Sequence, residues 1–431
     1  MIRSTAVPLV LGAAVLAAPL LAQAPKPAPA AEWPGFRGPQ RDALSPDTAL
    51  QKTWKPGGPA LAWKAAGLGI GYSSVAVSGG RVYTLGDKEG AQHLFALDAK
   101  DGKALWSAKV GAPWVDNMGG PRGTPTVDGD RVYAVGTEGD LVCVDAATGK
   151  EYWRKSLEKD FGGSMMSVWK FSESPLVDGQ RVIVTPGSSG AALVALDKMT
   201  GREIWRTPAS NLGAKGKDGA GYSSVVISNA AGVKQYVQLM GRGLVGVRAS
   251  DGKLLWSYNK VANDVANIST PVIKGDYVFA STGYGTGSAL LKLEAAGGGV
   301  DAKEVYFLDP KVFQNHHGGF VLVGDHIYAG HGHNKGFPIC LELTTGKVVW
   351  GGDIRNEGTG SAAVVYADGN LVFRYQNGVV ILVEATPAGY KEKGSFTIPN
   401  PNTLSWPHPV VVGGRMYLRE QDNLYVYDVK A

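Results

Sequence analysis

The chain has 431 residues, of which 60 are glycine and 19% are charged, and its formal net charge is +5 at pH 7. Lysine and arginine are scattered singly along the chain, which argues against nucleic acid as the main partner. The glycines follow no collagen period, so the composition favours turn-rich all-β structure.

The first predicted element is a secretory signal peptide at residues 1–24. Arg3 precedes the apolar run VPLVLGAAVLAAPLLA, which small residues follow. This run is too short and alanine-rich for a membrane span, no later stretch is apolar enough for one, and no cysteine follows for lipid attachment. We therefore expect a monomeric, periplasmic or secreted protein with no transmembrane segment after signal removal. Residues 25–58 are predicted to be a linker and N-terminal extension.

From residue 59 to 431 one unit repeats. Its best copies read ALDAKDGKALW, CVDAATGKEYW, ALDKMTGREIW, GVRASDGKLLW and CLELTTGKVVW. Upstream of each lies a second shared piece, such as VSGGRVYTLG or VDGDRVYAVG. Asp-Gly and Gly-Gly pairs between alternating apolar runs predict hairpins, so each unit is interpreted as four short strands, A to D. Four antiparallel strands per 40–50 residues with an aromatic marker are typical of a β-propeller blade.

Eight blades are predicted, since strand C aligns at eight places. These are Ala96, Cys143, Ala195, Gly246, Lys292, Cys340, Leu382 and Val426. The eighth unit has no strand D, and the segment around Trp63 is predicted to supply it and close the ring, which removes the sheet edges. A structural role between neighbouring blades is predicted for the strand D tryptophans Trp63, Trp106, Trp153, Trp205, Trp256 and Trp350.

The LDAxTGKxxW unit resembles the pyrroloquinoline quinone (PQQ)-like repeat found in quinoprotein dehydrogenases and in the outer-membrane assembly scaffold BamB. The resemblance covers the chain from about residue 60 to its end and implies an eight-bladed propeller. It leaves activity open, because scaffolds and enzymes share the repeat. The scaffold is lipid-anchored through an N-terminal cysteine, which this sequence does not have.

For the enzyme branch, the resemblance implies a vicinal cysteine pair over the cofactor, a tryptophan floor, calcium held by Glu, Asn and Asp, and a catalytic Asp. Here Cys143 and Cys340 belong to blades two and six, too far apart for a disulfide, and are interpreted as small buried residues. No catalytic residue can be assigned. We therefore expect no cofactor, while PQQ with calcium stays an alternative that the cysteines do not support.

Long, varied loops from strand D to the next strand A (D–A loops) are predicted to carry binding on one face, because A–B and C–D turns are short glycine pairs. The residues assigned to this ligand-binding face are Trp114, Asp116, Asn117, Arg122, Trp169, Lys170, Glu173, Trp406 and His408.

Blade six is rich in histidine. His316 and His317 end a D–A loop, and His331 and His333 lie in the following B–C loop, so these four are predicted to meet on the same face. His326 lies in the A–B turn on the opposite face. Two histidine pairs are a candidate metal site, although they match no fixed metal spacing. Packing of polar loops or recognition of a ligand is the alternative.

Three hypotheses follow. The first is an exported, non-catalytic propeller that binds a protein, peptide or glycan of the cell envelope through its D–A face. The second is a PQQ-dependent or PQQ-derived oxidoreductase similar to the alcohol dehydrogenases, and the third is a metal-binding propeller. Whether the protein is an enzyme is left open.

Overall fold

The computed structural model describes residues 1–2, 32–402 and 404–431. The predicted signal peptide therefore lies almost wholly outside the described residues. The described chain forms eight four-stranded antiparallel sheets arranged as the blades of one propeller. The predicted all-β, eight-bladed fold is confirmed.

Each blade is one sheet in the order A–B–C–D. Blade one contains β2 (Ala76–Ser78), β3 (Arg81–Lys88), β4 (Ala91–Asp98) and β5 (Ala104–Gly111), and blade two contains β6 (Thr126–Asp128), β7 (Arg131–Val135), β8 (Asp140–Asp145) and β9 (Glu151–Ser156). Blade three contains β10 (Leu176–Asp178), β11 (Arg181–Val184), β12 (Val194–Asp197) and β13 (Glu203–Arg206), and blade four contains β14 (Val226–Ser228), β15 (Gln235–Met240), β16 (Gly243–Arg248) and β17 (Leu254–Tyr258). Blade five contains β18 (Val272–Lys274), β19 (Tyr277–Thr282), β20 (Gly287–Ala296) and β21 (Gly299–Leu308), and blade six contains β22 (Phe320–Val323), β23 (His326–His331), β24 (Phe337–Glu342) and β25 (Val348–Gly351). Blade seven contains β26 (Ala362–Ala367), β27 (Asn370–Tyr375), β28 (Val379–Glu384) and β29 (Glu392–Thr397), and blade eight contains β30 (Val410–Val412), β31 (Arg415–Glu420), β32 (Asn423–Asp428) and β1 (Ala60–Ala65). Only a short α-helix α1 (Leu157–Phe161) and a 3-10 turn at Ala230–Gly232 interrupt this pattern within the described residues.

The ring closes as the sequence predicted. Strand β1 pairs antiparallel with β32, and Trp63 lies opposite Val426. The indole N–H of Trp63 donates to the carbonyl of Ala99 in blade one, 3.3 Å away. In the same way Trp106 donates to Ala146 of the next blade at 3.2 Å. The marker tryptophan therefore links each of these blades to the turn between strands C and D of the following one.

Blade five differs from the other blades in its register. In blades one and two a register irregularity directly follows the strand C residue that faces the tryptophan, Ala96 and Cys143. In blade five this irregularity lies between Leu290 and Leu291, and Leu290 faces Tyr306. The strand C position is therefore Leu290, not Lys292 as predicted, because β20 and β21 form a longer hairpin than their counterparts. Tyr306 takes the place of the tryptophan, and its hydroxyl donates to the carbonyl of Leu343 in blade six at 2.6 Å.

Residues 33–45, here called the channel segment, run through the middle of the ring. The segment pairs with strand A of blade one at Trp33–Val77 and with strand A of blade seven at Leu44–Tyr366. Between these points Arg41 donates to the carbonyls of Ser174 and Pro175 before blade three. The segment predicted as part of a linker thus lies against blades on both sides of the central channel.

Within the described ranges, no helix is both long and apolar enough to cross a membrane. The buried core follows the blades, with separate apolar clusters between neighbouring sheets and a larger one that joins blades six, seven, eight and one to the channel segment. Cys143 and Cys340 are free and buried within these sheets.

Candidate functional site

A cavity of about 250 Å³ opens at the D–A mouth of the central channel. Its walls come from residues that precede strand A in most of the blades, and its floor comes from Phe36 and Arg37 of the channel segment. The D–A loops and the channel segment together therefore shape one site on the propeller axis. Its principal lining residues are Phe36, Arg37, Tyr72, Arg122, Thr124, Trp169, Tyr222, Tyr284, His316, His317, Gly319, Trp406 and His408.

Aromatic rings contact one another around the wall of this cavity. Tyr72 lies 4.9 Å from Trp406 between ring centroids, and Trp406 lies 4.8 Å from His317. On the other side Trp169 meets Tyr222 edge to face at 5.9 Å. Aromatic walls of this kind provide large apolar contact area for a ligand at low entropic cost, because each ring has only two side-chain torsions.

Below the rings runs a belt of hydroxyl groups, one from each of five successive blades. The position two residues before the aligned strand A residue is occupied by Ser74, Thr124, Ser174, Ser224 and Thr270. The backbone N–H of Thr124 donates to the hydroxyl of Ser174 at 2.8 Å, and that of Ser174 donates to Ser224 at 3.0 Å. The belt therefore fixes neighbouring blades to each other at the channel. In blade six the equivalent residue is Gly319.

Two cations face the cavity, the buried Arg37 and the half-buried Arg122. Burial lowers the pKa of Arg122 to about 10, and its guanidinium stacks over the rings of Trp114 and Tyr72 at 4.6 and 5.1 Å. Burial likewise lowers the pKa of Arg37 to about 10, so both groups stay protonated at neutral pH. Among the described residues neither arginine has a carboxylate within ion-pair distance, and no Asp or Glu lines the cavity. The site is electropositive as well as apolar.

Three of the blade-six histidines cluster at the edge of the cavity. The ring centroid of His316 lies 4.3 Å from that of His317 and 4.2 Å from that of His333. Burial lowers the pKa of His316 to about 3 and that of His317 well below its usual range. His331 lies apart, stacked on Phe313.

No group of three or more His, Cys, Asp or Glu side chains is arranged to hold a metal ion in the described part of the chain. His316 is instead engaged by two hydroxyls, Tyr284 at 3.1 Å and Ser361 at 2.7 Å. The arrangement is that of polar loop packing, and the metal hypothesis stays a prediction.

The predicted binding residues divide into two groups. Arg122, Trp169, Trp406 and His408 line the cavity. Of the remaining five, Trp114 supports Arg122 from behind, Asp116 and Asn117 lie exposed in their loop, Lys170 pairs with Glu138 at 3.0 Å, and Glu173 is buried outside the cavity.

Glu173 belongs to an internal network rather than to the site. Its carboxylate accepts hydrogen bonds from the Thr185 N–H at 2.7 Å and from the Gln238 amide at 3.3 Å. Burial raises the pKa of Glu173 to about 7, although the nearby Arg41 guanidinium opposes this shift. The carboxylate therefore helps to fix blade three to blade four and to the channel segment.

Phe36, Arg37, Tyr72, Tyr222 and Tyr284 are site residues that the sequence analysis missed. Tyr72 and Tyr222 had a usable signal, because GYSS occurs before strand A in both blade one and blade four, whereas Tyr284 lies in a different sequence, GYGTG. Phe36 and Arg37 had none, since nothing in WPGFRGP indicates that the segment threads the channel.

An exposed apolar rim surrounds the mouth of the cavity. Ile70, Val115 and Val168 lie in three D–A loops and are 58%, 89% and 71% exposed. Val265 and Val312, in two further D–A loops, are each 38% exposed. Single exposed aliphatic residues need no explanation, but here five occur in the D–A loops of one face of the propeller.

A calcium-bound quinone, which the resemblance implies for the enzyme branch, does not fit these residues. Calcium takes six to eight oxygen ligands, among them carboxylates. The described lining of the cavity offers hydroxyls, imidazoles and guanidiniums but no Asp or Glu. No vicinal cysteine pair is available either, because Cys143 and Cys340 are buried in separate blades.

Comparison with known proteins links the chain to both branches. A family model described as "Outer membrane protein assembly factor BamB" matches residues 51–136 and 113–352. The assembly factor BamB of Kangiella koreensis is 26% identical over 49% of this chain and 49% of its own length. The quinoprotein ethanol dehydrogenase of Pseudomonas aeruginosa is 31% identical over 32% of this chain and 22% of its own length. The chain thus matches about half or less of the length of these curated relatives.

Solved structures agree in fold. The quinohemoprotein alcohol dehydrogenase ADHIIG of Pseudomonas putida superposes with a TM-score of 0.63 at 15% identity, covering 93% of this chain and 80% of that one. The quinohemoprotein alcohol dehydrogenase of Comamonas testosteroni gives 0.62 at 13% identity, with coverage of 93% and 81%. At such identities the likeness extends to the propeller architecture alone.

Proposed function

The chain belongs to the PQQ-like propeller family whose model is described as that of the outer membrane protein assembly factor BamB, and we propose that it is an exported, non-catalytic propeller that binds a protein or peptide partner on its D–A face. The observation that carries this proposal is the aromatic cavity with its rim of exposed Ile70, Val115, Val168, Val265 and Val312.

The partner is of the protein class because the rim is aliphatic. Sugars are recognised by stacking on rings combined with polar side chains around them, whereas a ring of exposed valine and isoleucine excludes water most effectively against apolar side chains. The rim surrounds a recess that can accept one anchoring group, which is the arrangement of protein interfaces with a central hot spot. The envelope location follows from the predicted signal peptide and is part of the proposal.

The absence of catalysis is proposed from the chemistry of the lining. General acid–base catalysis is most effective when the pKa of the catalytic group lies near the working pH. The described lining contains no Asp, Glu, Cys or Lys. Burial lowers the pKa values of His316 and His408 to about 3 and about 4 and raises those of Tyr72, Tyr222 and Tyr284, so these pKa values lie away from neutral pH.

Peptide display on the purified full chain tests the proposal. Selected binders should lose at least about tenfold in affinity in Trp406→Ala and Val168→Asp, because both changes remove apolar contact at the mouth. Leu105→Asp is the matched control, since Leu105 is 44% exposed but lies on the outer strand of blade one. Binders that Leu105→Asp weakens as much as the D–A variants would contradict the assignment of the face. Selection of glycans alone from a parallel array would contradict the partner class.

The oxidoreductase alternative has its own measurement. The protein is incubated with PQQ and calcium, and dye reduction is followed with short alcohols. Dye reduction that depends on the added quinone and disappears in Trp406→Ala would overturn the non-catalytic proposal.

A further inference from the structure

The floor of the cavity contains polar atoms without partners, although the groups that carry them are buried. They are Nη1 of Arg37, Oγ1 of Thr124, Nε2 of His317 and Nδ1 of His408, and all four residues line the cavity. Buried polar atoms in folded proteins are almost always hydrogen-bonded, because an unpaired buried donor or acceptor has lost its hydration without compensation. Four such atoms around one cavity indicate a ligand that would pair with most of them.

Arg37 is the central group of this floor. The residue is 3% exposed, and its Nε and Nη2 atoms donate to the backbone carbonyls of Arg41, Asp42 and Phe320. These bonds fix the guanidinium and leave Nη1 free. A fixed, protonated guanidinium without a carboxylate partner is a binding group for an oxyanion.

Gly319 gives a ligand access to this guanidinium. It replaces the hydroxyl residue that five other blades carry at this position, and its φ is +69°. A Cβ at Gly319 would lie 2.8 Å from Nη1 of Arg37 and 3.4 Å from Cε1 of His408. Any side chain here would cover the free nitrogen, so the glycine leaves a recess between Arg37 and His408.

His408 adds an acceptor to this recess. Its Nε2 lies 2.9 Å from the carbonyl oxygen of His317, which can only accept, so Nε2 carries the proton. Burial lowers the pKa of His408 to about 4, so the ring is neutral and Nδ1 presents a lone pair. The recess therefore offers a cationic donor on one side and a hydrogen-bond acceptor on the other.

We infer that the recess between Arg37 and His408 binds the carboxylate of a peptide residue with an apolar or aromatic side chain. The carboxylate lies against Arg37 Nη1 and the Thr124 hydroxyl, the amide N–H of the same residue donates to His408 Nδ1, and the side chain packs between Trp169 and Trp406. The inference rests on the proposed function, since it names the group by which the partner is anchored. A C-terminal residue and an internal acidic residue beside an aromatic one are the two sources of this chemistry.

Three small probes distinguish these possibilities by calorimetry on the full chain at pH 7.5. N-acetylphenylalanine carries a terminal carboxylate, N-acetylaspartylphenylalanine amide carries a side-chain carboxylate, and N-acetylphenylalanine amide carries none. One or both acids should bind at least about tenfold more tightly than the neutral amide, because one charge-assisted hydrogen bond to a buried cation accounts for such a factor. The preferred acid identifies the source. Equal binding of acid and amide, or no binding of either acid, overturns the inference.

Variants assign the preference to the recess. Arg37→Gln should abolish the preference for the acid, and Thr124→Val should reduce it several-fold while the Thr124 backbone N–H keeps its bond to Ser174. Arg81→Gln is the matched control, because the Nε of Arg81 is also unpartnered but Arg81 begins strand B next to an A–B turn on the opposite face. If Arg37→Gln does not fold, Thr124→Val and Gly319→Ala test the recess in its place. A preference that persists in both contradicts the site.

These probes report on the cavity and not on the rim, so the two proposals fail in different ways. Binding of the acids in a protein whose displayed peptides ignore Val168 and Val265 would leave a small-molecule carboxylate site and reject the partner face. Rim-dependent peptide binding without any acid preference would reject only the recess.

Discussion

Gly149 of blade two lies against the indole ring of Trp106 in blade one, so closely that a Cβ at Gly149 would be 2.5 Å from Cε3 of that ring. The same relationship joins Gly102 to Trp63 and Gly252 to Trp205. The glycine and the tryptophan of the repeated unit are therefore partners across the boundary between blades. This relationship explains in physical terms why both are repeated.

Gly149→Ala is expected to destabilise the protein by about 2–4 kcal/mol, since a left-handed backbone at φ +74° costs about 1 kcal/mol and the clash with Trp106 adds about 1–3. Gly129→Ala is the matched control, because Gly129 has φ +61° but nothing within 4 Å of the added Cβ. It should cost about 1 kcal/mol. Urea unfolding of both variants measures the difference. Equal losses would show that the indole contact is unimportant.

Arg374 and Glu420 form an ion pair across blades seven and eight at 2.6 Å, with both side chains almost fully buried. Arg374→Met should cost about 3–5 kcal/mol, because it leaves the buried carboxylate without its counter-charge. The exposed pair of Arg206 with Glu203 provides the comparison, and Arg206→Met should cost less than about 1 kcal/mol. Chemical denaturation at pH 7 measures both. A loss in Arg374→Met no larger than that in Arg206→Met would contradict the assigned burial.

Glu173 should make stability fall as pH rises. Its pKa is raised in the folded state to about 7, so between about pH 4.5 and pH 7 the folded protein holds a proton that the unfolded chain has lost. The free energy of unfolding therefore decreases as pH rises across this window, by about 3 kcal/mol in total. Glu173→Gln removes the titration and keeps an acceptor for the Thr185 N–H. The variant should match the parent near pH 4.5 and exceed it in unfolding free energy at pH 7.5; a constant difference across this range would be the contrary result.

The half-buried His316 and His408 should make stability depend on pH in the opposite direction. The pKa values of His316 and His408 are lowered to about 3 and about 4, so the unfolded chain takes up protons below pH 6.5 that the folded state does not. Stability should therefore fall as pH decreases from 6.5 towards 4, by about 1.4 kcal/mol per pH unit for each ring. NMR of histidine-labelled protein should show that the signals of these rings keep their positions from pH 8 to pH 5, with assignments taken from His316→Gln and His408→Gln. Titration of either ring near pH 6.5 would contradict its burial.

More of the fold than of the candidate site could be predicted from the sequence. The blade count, the ring closure at Trp63 and the free state of the cysteines all follow from the repeat, because the blades pack against one another through the same residue types at equivalent positions. Blade five shows the limit of this reasoning, since its longer hairpin moved the strand C position from Lys292 to Leu290. The site depends instead on residues from outside the repeat.

Arg37 illustrates why the floor of the cavity could not be predicted from the sequence. Its role comes from three backbone carbonyls, one of them nearly three hundred positions away at Phe320, and from a glycine that another blade contributes. No local pattern encodes such a meeting. Arg122, Trp169, Trp406 and His408 were found because loop length and face assignment are local, whereas the floor of the cavity is a product of the closed ring.

Ring closure also has a kinetic consequence. Strand β1 meets β32 only when segments roughly 360 residues apart in the chain come together. The channel segment, for its part, touches blades one, three and seven. Contacts of such high sequence separation slow folding, because the entropy of closing the loop is lost before any of these contacts form. A chain halted before blade seven would hold β1 without its partner strand and the channel segment without its contact to blade seven, exposing strand edges and apolar surface to association with other chains. Productive folding of this protein therefore depends on the last two blades being available.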